Sequence, residues 1–91
     1  MVLSKQYGKY QVTITCHALW RMIQRSIYAD NIIKIILNAA KQYQNSKKLI
    51  IVNEQENYSL VVVIEGNNIV LITVIKSNTY KPKENELLIT V

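Results

Sequence analysis

Along the chain the spacing of hydrophobic positions changes twice. In YQVTIT, residues 10–15, apolar and polar residues alternate and β-branched and aromatic types dominate, which predicts a short strand. Thr15 is suited to cap a helix, and from there CHALWRMIQRSI takes a helical period. At about 100° per residue from His17, the residues Ala18, Leu19, Met22, Ile23 and Ile27 gather on one side and His17, Arg21, Gln24 and Arg25 on the other. Trp20 falls on the border. The pattern predicts a helix packed through Leu19, Met22, Ile23 and Ile27. ADNIIKIILNAAKQY, residues 29–43, predicts a second helix with an apolar stripe of Ile32, Ile33, Ile36, Leu37 and Ala40 and with Asp30 near its positive end.

From Leu49 the period shortens to that of strands. LIIV, YSLVVVI and IVLITVI are β-branched runs separated by the short polar stretches NEQEN and EGNN, and they predict three antiparallel strands in a meander. After Pro82, in a charged loop, LLITV reads as an edge strand or a packed terminal extension. The order predicts one α+β domain over residues 1–91: a short N-terminal strand, then two helices packed on a three- to four-stranded antiparallel sheet. The core strands are apolar at nearly every position, whereas a sheet wet on one face alternates. The second face therefore needs a cover, supplied by the tail, by a dimer through the sheet face, or by a partner protein.

Charge sharpens the picture. Residues 1–48 hold eight Lys and Arg against one acid, and residues 49–91 hold three Lys against five Glu. A first half so basic favours a polyanionic partner through long-range attraction and counterion release. No run approaches the roughly 18 apolar residues of a membrane span, and no apolar segment follows the basic N-terminus as in a leader, so no membrane association is expected. Cys16 is the only cysteine and His17 the only histidine, which excludes an internal disulfide and a thiolate zinc cluster and points to a reducing, cytoplasmic setting. Neither a metal nor another cofactor is expected.

Candidate chemistry concentrates on the first predicted helix. His17 and Arg21 stand one turn apart on one face, and Arg25 continues the row. An imidazole base beside guanidinium groups suits metal-independent RNA cleavage: the base takes the proton of a ribose 2′-OH, the oxygen attacks the adjacent phosphate, and the cations stabilise the developing charge. Such a row is equally that of an ordinary solvated face, and Trp20 and Cys16 read as packing residues before any chemical role. On the last core strand Thr73 and Lys76 interrupt the apolar run, with Tyr80 just beyond, so that hydroxyl, ammonium and phenol are candidates to reach the same phosphate.

HALWRMIQRSI followed by IIKIIL, YSLVVVI and IVLITVI resembles a small bacterial domain similar to the BrnT and RelE-like toxins, within the group of barnase, EndoU, colicin and RelE folds. The resemblance spans roughly residues 12–76 and departs at Tyr28, where the pattern has a capping Ser or Thr, and at the glycine missing before it. It implies a ribonuclease toxin acting on tRNA or mRNA, with His17, Arg21 and Thr73 in catalytic positions and Arg25, Lys76 and Tyr80 holding the substrate phosphate. It also implies an acidic antitoxin or immunity protein as partner, and delivery either within a toxin–antitoxin pair or from the C-terminus of a larger secreted protein in contact-dependent growth inhibition. The alternatives are a non-catalytic basic module that binds nucleic acid or a protein, and an immunity protein, which the basic first half disfavours.

Overall fold

A computed structural model of the chain describes residues 3–43, 48–77 and 81–91. The elements in chain order are β1 (Leu3–Tyr7), β2 (Tyr10–Ile14), α1 (Cys16–Gln24), α2 (Ala29–Gln42), β3 (Leu49–Asn53), β4 (Tyr58–Glu65), β5 (Asn68–Ile75) and β6 (Leu87–Thr90). They form one α+β arrangement of two helices and an open six-stranded sheet in the order β1-β2-β5-β4-β3-β6. The meander β3–β4–β5 is antiparallel as predicted, and an additional N-terminal strand, β1, pairs antiparallel with β2. By contrast β2 runs parallel to β5 and β6 parallel to β3, so the sheet is mixed and larger than the three- to four-stranded antiparallel sheet expected. β1 escapes the hydrophobic pattern because its residues are almost all exposed. Its pairing comes from the two-residue turn opened by Gly8, whose φ of +59° suits a primed hairpin turn.

The two faces of the sheet are covered differently. On one, Val12 and Ile14 of β2, Ile69, Leu71 and Val74 of β5, Leu60 and Val62 of β4 and Leu49 and Ile51 of β3 pack with Ala18 and Met22 of α1 and Ile32 and Ile36 of α2. Each fully buried Ile or Leu here contributes roughly 1.5–3 kcal/mol of transfer free energy. On the other, Ile50, Val52 and Val61 form a second buried cluster flanked by Ile72, Ile75 and Leu88. The chain after β5 closes part of this face: the wholly buried Ser59 donates its hydroxyl hydrogen to the Ser77 carbonyl at 2.5 Å, and Leu88 of β6 packs on the cluster. Toward β1 and β2 the same face becomes polar, with Ser4 bonded to Thr13 and to Gln11.

A bulge in β5 decides which side chains face which way. Val62 pairs with Leu71 but Val61 pairs with Thr73, leaving Ile72 as the extra residue. Alternation therefore slips by one: Ile69 and Leu71 face the helices, then Val74 does, while Ile72 and Ile75 pack on the opposite side.

β2 ends opposite Leu71, so β5 continues beyond it with an open edge, and α1 fills this place. The Thr15 hydroxyl accepts from the Ala18 amide at 3.1 Å, capping α1 as predicted, and donates to the Ile72 carbonyl at 2.7 Å. At the other end of the helix the Arg25 guanidinium donates to the Val74 carbonyl at 3.2 Å. These two bonds turn α1 about its axis from the expected orientation. Ala18 and Met22 are buried, Arg21 and Arg25 are half-buried, and Ile23, expected in the core, is 63% exposed beside Trp20 at 58%. α2 needs no such correction, since Ile32, Ile33, Ile36 and Ala40 are buried as its stripe requires.

Candidate functional site

The α1–α2 turn shapes the region where the basic row ends. The Ser26 amide donates to the Ile23 carbonyl and the Ile27 amide to the Met22 carbonyl, the paired bonds of a Schellman closure. That closure requires a left-handed residue, normally glycine, and Ser26 fills it at φ 52°. Tyr28 then occupies the N-cap of α2 without a side-chain capping bond, and it is 75% exposed.

Across from this turn the β3–β4 connection is fixed by one amide side chain. Asn53 Oδ1 accepts from the Glu56 backbone amide at 3.0 Å, and Asn53 Nδ2 donates to the Tyr58 hydroxyl at 3.2 Å. Between the two turns lies an open cavity of about 570 Å³. Arg25, Tyr28, Lys34, Asn53, Glu56 and Tyr58 are in its walls. A smaller cavity of about 230 Å³ adjoins it, sharing Arg25, Ile27, Glu56 and Tyr58 and reaching Gln24 and Lys76.

Two ionisable groups in these walls are displaced from their ordinary values. Burial lowers the Arg25 pKa and the neighbouring Arg21 charge lowers it further. Burial raises the Tyr58 pKa, with a smaller opposing effect from the Asn53 bond and a raising one from Glu56. Tyr58 thus stays a neutral phenol that accepts from Asn53 and keeps its own hydrogen for another acceptor.

The predicted site residues separate into three groups. His17, Arg21 and Arg25 share α1 and its flank, with His17 exposed in the first turn and Arg25 about 12 Å away along the axis. Lys76 joins Arg25 in the wall of the smaller cavity. Thr73 pairs with Val61, whose side chain belongs to the opposite face, so the Thr73 side chain is set on the face away from the helix-covered core. The bulge is the physical reason, because strict alternation from Leu71 would turn residue 73 toward the helices. Tyr80 lies outside the described residues.

Sequence reasoning missed Tyr28, Lys34, Glu56 and Tyr58 as members of one cavity. Only Tyr28 carried a signal, as a large aromatic where a capping Ser or Thr was expected. Among the described residues no three His, Cys, Asp or Glu side chains come together as a metal site, and no helix is long and apolar enough to cross a membrane.

No curated protein and no solved structure matches this chain. The family model described as "Domain of unknown function (DUF4258)" matches residues 14–76, from the last residue of β2 through α1, α2 and the meander to Lys76, and the protein belongs to that family.

Proposed function

We propose that the domain is a metal-independent endoribonuclease that acts as a toxin on tRNA or mRNA in the cytoplasm. The observation that supports this reading is the continuity of the basic row: His17, Arg21 and Arg25 follow one another along α1, and Arg25 ends the row in the wall of a cavity that also holds Lys34. In the reaction the His17 imidazole takes the proton of a ribose 2′-OH, and O2′ attacks the adjacent phosphorus. The bond to the 5′-oxygen breaks, and that oxygen leaves with a proton from water, giving a 2′,3′-cyclic phosphate and a 5′-hydroxyl. Arg21 stabilises the charge on the phosphoryl oxygens, and Arg25 holds the chain beyond the reacting phosphate. Thr73 has no part in this arrangement.

The exposed pair Trp20 and Ile23, one turn apart beside the basic row, favours a second feature of the reading. Two large apolar side chains next to arginines suit an acidic protein, the antitoxin or immunity partner of such a toxin. The same pair supports the competing reading of a non-catalytic interaction module.

Expression of the wild type and His17→Ala in cells, with growth and total RNA followed, separates the two. A nuclease arrests growth and fragments RNA, and His17→Ala does neither. Equal RNA profiles from both proteins and from an empty vector would leave the interaction module as the reading.

A further inference from the structure

We infer that the cavity between the α1–α2 and β3–β4 turns is a nucleotide subsite for single-stranded RNA, in which Tyr28 stacks on an unpaired base while Arg25 and Lys34 hold its phosphate. This deepens the nuclease reading by giving the site a substrate form, and its binding test is independent of cleavage.

Three observations meet here. Tyr28 is 75% exposed at a helix N-cap to which it contributes no side-chain bond, so its ring adds little to the fold and presents a free aromatic face at the cavity. Stacking on such a ring is a sequence-tolerant way to hold an unpaired base. Arg25 gives one N–H to the Val74 carbonyl, which fixes the guanidinium in the wall and leaves its other donors for a phosphate, and the protonated Tyr58 hydroxyl adds another donor. The volume of about 570 Å³ lies within the roughly 300–1,000 Å³ usual for small-molecule sites.

Glu56 selects among anions. A carboxylate in the same walls repels a bare phosphate, but it is an acceptor for the N–H groups on a base edge. A whole nucleotide satisfies both sets of groups, and inorganic phosphate satisfies only one. A duplex keeps its bases stacked on one another and leaves Tyr28 without a partner.

The test is fluorescence anisotropy with a labelled single-stranded RNA, in a His17→Ala background that leaves the RNA intact. The decisive variant is Tyr28→Ser, which removes the ring and supplies a good N-cap, so the fold is maintained or strengthened. Tyr28→Ser is expected to weaken binding about tenfold or more while raising the melting temperature, and Tyr28→Phe to bind as the parent does. Lys34→Ala should weaken binding and flatten its salt dependence. Equal binding by Tyr28→Ser and its parent, equal affinity for duplex and single strand, or competition by millimolar inorganic phosphate would each overturn the inference. RNA that is bound through Tyr28 but never cleaved by the wild type would instead overturn the nuclease reading alone. Cleavage by the wild type with binding indifferent to Tyr28→Ser would overturn the subsite alone.

Discussion

The two ends of α1 are built in the same way and present different chemistry. At each, one polar side chain reaches the open edge of β5: Thr15 bonds to the Ile72 carbonyl at the start, and Arg25 to the Val74 carbonyl at the end. At the start the tie is made by a small hydroxyl, and His17 stands free of it in solvent. At the end the tie is made by the functional group itself, and Arg25 is anchor and cavity wall at once. Loss of His17 should therefore touch activity alone, whereas loss of Arg25 should touch both activity and stability.

The largest effect expected is kinetic. His17→Ala should lower RNA cleavage by about 10²–10⁴-fold, the range of a lost general base, while its unfolding free energy in urea shifts by less than about 0.5 kcal/mol. A variant that loses stability as well would show that the start of α1 is no freer than its end. Arg25→Met comes next: with the Val74 carbonyl left without its side-chain donor, unfolding free energy should fall by about 1–2 kcal/mol alongside the loss of RNA binding. An unchanged denaturation curve would mean that the bond to β5 is replaced by water.

Ser26→Gly sharpens the contrast from the other direction. The left-handed conformation at φ 52° costs a side-chain-bearing residue roughly 1 kcal/mol, so glycine should raise the melting temperature measurably without altering RNA binding. The smallest effect concerns Tyr58. Its pKa is raised on folding from an ordinary 10.0, so the protonated phenol stabilises the native state fully below that value, and the contribution is lost as pH rises through the folded pKa. Urea midpoints measured upward from pH 10 should fall less steeply in Tyr58→Phe than in the wild type.

How much of this could be read from the sequence depended on whether the controlling contact was local. Helix α2 and the meander followed from periodicity, because their stripes face a broad apolar surface that tolerates small errors of rotation. The Thr15 cap was legible for the same reason, since its partner, the Ala18 amide, lies three residues away. Helix α1 departs in rotation from what its pattern predicts because its orientation is set by carbonyls on β5, some fifty residues distant in sequence, and Ile23 is the residue displaced. Thr73 is set on the opposite face by a single inserted residue, Ile72, that no hydropathy pattern marks. The same slip carries Lys76 to the side of Arg25, so one bulge removes a hydroxyl from the candidate site and supplies a cation to the cavity. β1 was not foreseen, having almost no buried residue to reveal it.

The Thr15 hydroxyl also bears on the order in which the chain assembles. Its acceptor role is available as soon as the first turn of α1 forms, but its donor role spans 57 residues and waits for β5 to arrive. Closing so long a loop is entropically costly, and folding rates fall as such distant contacts accumulate. The seam between α1 and β5 should accordingly close late in folding and open first in native fluctuations. Faster amide exchange at Leu19 than at Val62 would record that opening, and it would make the edge that carries the basic row looser than the centre of the sheet.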